Sequence, residues 1–136
     1  MTYEEKKAWL NRYREEKQKE QKLFDQLAEA REAARHTTQA LSPVSGGAGD
    51  GQSLARAVER CEALEQQLQA RYDLCTRLYG EILDVLQENI RDEMDYVLLH
   101  RRYLECMTWA KIADDLHYTQ RWVYLRHRNL VERLIL

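Results

Sequence analysis

The run Thr108-Trp109-Ala110-Lys111-Ile112-Ala113-Asp114-Asp115-Leu116-His117-Tyr118-Thr119-Gln120-Arg121-Trp122-Val123-Tyr124-Leu125-Arg126-His127-Arg128-Asn129-Leu130 decides the fold. Threonine at 108 and again at 119 can accept hydrogen bonds from the free backbone N–H groups that open a helix, so each marks a start. Between them Ile112 and Leu116 stand four apart and share one helical face. Val123, on the next helix, is placed to close over them, and Ala113 is small where two helices cross at close range. The spacing predicts a helix of about two turns over residues 109–116, a short turn, and a longer helix over residues 120–134. That is the helix-turn-helix pattern, whose second helix lies in the major groove of DNA.

Upstream, Met94, Val97, Leu98, Tyr103 and Leu104 give residues 92–104 an amphipathic helical pattern, and Glu105-Cys106-Met107 reads as a turn. Before that the helices lengthen. Residues 54–86 carry apolar side chains at steps of three and four: Leu54, Val58, Cys61, Leu68, Tyr72, Cys75, Tyr79, Ile82 and Leu86. Leu64, Leu78 and Val85 widen that stripe beyond what a single partner helix needs. Residues 3–36 hold a weaker seam through Leu10, Tyr13, Phe24, Leu27 and Ala34, interrupted by Lys17, Glu20 and Arg31. The one proline, four of the five glycines and two of the three serines fall within residues 37–52, which is linker composition. The expected architecture is all-α. A long, coiled-coil-like antiparallel hairpin over residues 1–90, with a flexible linker at 37–52, precedes a helix-turn-helix bundle over residues 91–136.

Composition agrees. Outside the linker the chain has almost none of the residues that make tight turns, so a sandwich or barrel with a turn every 8–12 residues or so is excluded. Leu and Ala, at 19 and 13, outnumber the 16 Val, Ile and Thr, which favours helix over strand. The formal charge of −2 announces no nucleic-acid partner for the whole chain, but it is unevenly spread. Residues 117–136 hold Arg121, Arg126, Arg128 and Arg133 against a single Glu132. A basic helix on an otherwise balanced protein is the footprint of a duplex reader. Gln120 and Arg121 occupy its first turn, where glutamine can pair with adenine and arginine with guanine. Tyr124, Leu125 and Arg128 follow on the same side, and Arg126 and Arg133 suit phosphates.

Residues 92–134 also resemble region 4 of bacterial sigma factors. The points of likeness are Arg102-Tyr103-Leu104, the Thr108-Trp109 pair, Ile112-Ala113, Leu116 and Trp122-Val123-Tyr124. The sequence resembles sigma-region-4-like proteins of Gram-positive phages and prophages, the RinA- and ArpU-type late-gene activators, more than a full sigma factor, because it shares their long helical N-terminal segment. The resemblance covers about the last third of the chain. It implies binding to promoter-like duplex DNA and contact with RNA polymerase. By position it carries groove-facing roles to Gln120, Arg121, Tyr124 and Leu125. The sequence departs from the pattern at Cys106 and His117, where glycine is common. Of the non-glycine residues, histidine tolerates a positive φ better than most.

Other chemistries find little support. Gly46-Gly47-Ala48-Gly49-Asp50-Gly51 lacks the Lys-Ser/Thr ending and the preceding strand of a phosphate-binding loop. All three serines lie in or beside the linker, and His36, His100, His117 and His127 with Cys61, Cys75 and Cys106 have no zinc-ligand spacing. No enzyme activity, cofactor or metal is therefore expected. Trp109 is expected to pack, while Trp122 reads equally as packing or as a base-stacking ring. An odd number of cysteines, no apolar run of membrane-spanning length and no signal-peptide order at the N-terminus point to the cytoplasm. The expected partners are double-stranded DNA, RNA polymerase and a second copy of the chain, as a dimer. Two other readings fit the same elements: a helical adaptor that docks polymerase or another protein, and a small-terminase-like DNA-packaging subunit.

Overall fold

A computed structural model describes residues 1–40 and 50–136. Among the described residues every regular element is helical: α1 (Tyr3–Leu10), α2 (Arg12–Ala40), α3 (Asp50–Asn89), α4 (Glu93–Tyr103), α5 (Trp109–Leu116) and α6 (Gln120–Arg133). The helix that the sequence predicts from residue 3 is divided at Asn11, and it continues to Ala40. The linker expected at 37–52 is helical over residues 37–40 and 50–52, which leaves residues 41–49. Those residues, with most of the glycine-rich run, lie outside the described ones. Helix propensity extends through Thr37-Thr38-Gln39-Ala40, which hold no glycine or proline to stop it.

The chain forms two compact units, Met1–Lys17 with Leu74–Leu136, and Gln18–Asp73. The boundary expected at residue 90 is not where contacts thin out. Leu10 of α1 and Ile82 and Leu86 of α3 are fully buried in one core with Leu98, Leu99, Tyr103, Ile112, Val123 and Val131. The C-terminal helices are too short to bury their apolar faces among themselves, so α1 and the last turns of α3 complete the core. Each such side chain contributes about 1.5–3 kcal/mol on burial, so detaching residues 1–17 or 74–90 would unroof the remainder.

In the Gln18–Asp73 unit, Leu27 and Ala30 of α2 pack on Leu64 of α3, flanked by Leu23, Cys61 and Leu68. Arg31 reaches Glu65 at 3.0 Å. The expected seams shift accordingly. Phe24, Val58 and Tyr72 are exposed, whereas Leu64 and, in the larger unit, Leu78 are buried. A stripe as wide as that of α3 cannot be covered by one neighbour, and α2 covers the side that carries Leu64.

Three side chains cap the C-terminal helices, two of them the threonines read from the sequence. Asp92 opens α4, Thr108 opens α5 and Thr119 opens α6, each side chain accepting from a backbone N–H three residues on. Two non-glycine residues take the left-handed conformation, Cys106 at φ 57° and His117 at φ 62°. After α5 the His117 N–H donates to the Asp114 carbonyl at 3.2 Å and the Tyr118 N–H to that of Ala113 at 3.0 Å. That pair of bonds is a Schellman stop, which requires a left-handed residue at His117.

Candidate nucleic-acid interface

The outer side of α6 is built from its first two turns. Gln120, Arg121, Tyr124 and Leu125 line a shallow hollow of about 310 Å³, with Trp109 of α5 at its edge. Leu125 is 56% and Tyr124 42% exposed, a large apolar contribution to an open surface. Arg121 is exposed and, among the described residues, has no ion-pair partner, so its guanidinium donors are not committed to a carboxylate. The helix is aimed by its buried side: Val123, His127, Leu130 and Val131 face the core.

Trp109 is packed, as expected. It is half-buried, Arg102 stacks over its ring at 4.2 Å, and the His127 ring meets it edge-on at 4.6 Å. The Arg102 guanidinium also donates to the Met107 carbonyl at 3.0 Å, tying α4 to the turn before α5. Burial and the neighbouring Arg14 lower its pKa. Trp122 packs against the core and stacks on Tyr118, ring centres 3.9 Å apart.

The other three arginines of the predicted site part company. Arg126 is engaged by a carboxylate of its own chain. Its guanidinium grips the buried Asp95 of α4 through two bonds of 2.8 and 2.6 Å, and that pairing raises its pKa. Arg126 comes five residues after Arg121, about 140° round the helix at 3.6 residues per turn, which turns it inward toward α4. Arg133 follows it to that side, lining a separate cleft with Asn89, Arg91 and Asp92. Arg128 does share the face of Arg121 and Tyr124, but it is engaged. Its Nε donates to Glu132 at 3.0 Å and its guanidinium lies 4.9 Å over the ring of Tyr3.

Tyr3 is a residue that sequence reasoning missed. With Lys6, whose Nζ donates to the Glu132 carbonyl at 2.8 Å, it holds α1 against the second half of α6. Burial raises the Tyr3 pKa, and the nearby Tyr124 adds to the shift. The open surface is therefore the first two turns of α6 and not its whole length. A contact spanning more than 120 positions leaves no local sequence signal. His127 is a second omission, although its spacing from Val123 and Val131 places it on the buried stripe. It is fully buried and bonded through Nε2 to the Tyr103 hydroxyl. Burial, with Arg102 and Lys7 nearby, pushes its pKa down to about 3, so the ring is neutral.

Among the described residues, no group of three or more His, Cys, Asp or Glu side chains is placed to hold a metal ion. No described helix is long and apolar enough to cross a membrane. Comparison with protein families, curated proteins and solved structures finds no match for the chain.

Proposed function

We propose that this chain is a DNA-binding transcriptional regulator of the phage type, with α5 and α6 as its helix-turn-helix and α6 as the recognition helix. The observation that carries the reading is the uncovered first half of α6, where Gln120, Arg121, Tyr124 and Leu125 share one open face. In the major groove Gln120 and Arg121 would each pair with a purine edge through two hydrogen bonds. Leu125 and Tyr124 would lie against thymine methyl groups. Gln120 and Tyr124 are one turn apart, which matches the reach of a recognition helix across successive base pairs. The long helices α2 and α3, as an antiparallel hairpin, join two copies, because a single small reader makes few phosphate contacts and gains by linkage to a second.

The test is selection of bound duplexes from a random pool, followed by titration at several salt concentrations. A paired half-site motif and salt-sensitive binding are expected. Arg121→Ala should lose about 1–3 kcal/mol of base discrimination, roughly fivefold to 150-fold in affinity, with helicity unchanged. If no motif is enriched, or Arg121→Ala binds duplex like the parent at low salt, the reading fails.

One observation favours a second reading. The apolar hollow beside Leu125 would also suit a protein ligand, as in an adaptor that docks RNA polymerase. In that case Leu125→Asp would abolish partner binding while Arg121→Ala changed little.

A further inference from the structure

We infer that the groove between α2 and α3 in the Gln18–Asp73 unit seats the same groove of a second copy of this chain, related by a two-fold axis through its centre. This deepens the self-association in the reading above by naming its surface and symmetry. The groove has a volume of about 440 Å³. Its sides carry Phe24 of α2 and Tyr72 of α3, exposed by 56% and 55%, with Leu27 and Leu68 between them. Phe24 is the only phenylalanine in the chain, and it lies in water where the expected seam would have buried it. Two large aromatic rings flanking a leucine floor form an apolar patch of the kind that marks a protein contact.

Charge identifies the occupant. Glu20 lies at one end of the groove and Arg31 at the other, eleven residues apart along α2, about 16 Å at the rise of a helix. The midpoint falls between Phe24 and Leu27. A two-fold axis there sets Glu20 against the second copy's Arg31 at both ends and Phe24 against its Leu27 in the middle. On α3 the same axis passes near Leu68, with Tyr72 to one side and Glu65 to the other. Arg31 is bonded to its own Glu65 at 3.0 Å, yet its side chain is 58% exposed and keeps N–H donors for a further carboxylate. The groove is thus complementary to itself under this one operator, which is the requirement for an isologous pair. Parallel stacking would put Glu20 on Glu20 and Arg31 on Arg31, and like charges so placed are repelled.

The experiment measures the mass of the full chain in solution, without DNA, by sedimentation equilibrium across the micromolar range. A monomer–dimer equilibrium is expected. Phe24→Glu should weaken it about tenfold or more, with helicity unchanged by circular dichroism. Glu20→Arg and Arg31→Glu, each studied alone, should also dissociate, since each homodimer then opposes like charges at both ends. An equimolar mixture of those two variants should dimerise again, because every cross-pair is then opposite in sign. A monomeric parent, a dimer indifferent to Phe24→Glu, a higher oligomer, or a mixture that stays monomeric would each overturn the proposal. Loss of duplex binding in Arg121→Ala is read separately, so either proposal can fail alone.

Discussion

Lowering the pH from 7 to 4 should destabilise the unit that holds α4, α5 and α6, and one side chain supplies a separable share of the loss. His127 is fully buried, and its imidazole stays neutral down to about pH 3 in the folded chain. In the unfolded chain it titrates near its ordinary value of about 6.5. Between those two values the unfolded chain takes up a proton that the folded one refuses, so falling pH favours unfolding. The contribution of the neutral ring is intact above about pH 6.5 and is lost progressively toward about pH 3. At pH 4 the loss is about 3 kcal/mol, from 1.36 kcal/mol for each pH unit below the unfolded pKa. The assay is urea unfolding followed by tryptophan fluorescence. Trp9, Trp109 and Trp122 all pack on this core, so the signal reports this unit alone. The control is the double variant His127→Leu/Tyr103→Phe. Removing both members of the buried hydrogen bond leaves no orphaned partner and costs little at neutral pH. Every other acid-titrating group is common to parent and variant, so the difference between the two pH responses isolates the ring. If the double variant loses as much stability between pH 7 and pH 4 as the parent does, the neutral buried histidine is not what makes the unit acid-sensitive.

Two further outcomes follow from geometry already described. Arg126→Ala leaves the buried Asp95 carboxylate without its guanidinium, and should cost about 2–3 kcal/mol of stability by urea denaturation. Duplex binding measured well below the unfolding midpoint should be unchanged, and a tenfold loss there would return Arg126 to the contact surface. His117→Gly should stabilise by about 0.5–1 kcal/mol, since the left-handed stop after α5 favours a residue without Cβ. His117→Val should destabilise by more than that, and equal melting temperatures for the two variants would argue against the left-handed turn.

The sequence was most informative where local chemistry sets local structure. Thr108 and Thr119 open helices because a hydroxyl can satisfy free N–H groups within one turn. The turn at His117 was legible because histidine tolerates a positive φ better than most side chains, whereas nothing local announced the same conformation at Cys106. Burial along α6 was legible from Val123, Leu130 and Val131. Long-range partners were not. Arg126 reads as a phosphate contact on charge alone, and only the position of Asp95, 31 residues away, turns it into a strut between α4 and α6. Phe24 fits a heptad seam, but heptad spacing says which residues share a face and not which face a neighbour occupies. The boundary expected at residue 90 failed for a related reason. A change of apolar phase marks where a helix ends, whereas a compact unit is defined by which distant segments share its interior.

The clasp of Tyr3 and Lys6 on the far end of α6 divides that helix into a portion free to vary and a portion held to its scaffold. Gln120, Arg121 and Leu125 are exposed around their hollow, so they can be exchanged with little disturbance to the interior, whereas Tyr124 also meets Trp109 and His127 and lies beside Tyr3. Changes at His127, Arg128 or Val131 must be matched by changes near the amino terminus. Under the proposed function, readdressing the protein to another target would mean transplanting three letters while leaving the rest of the rod in place.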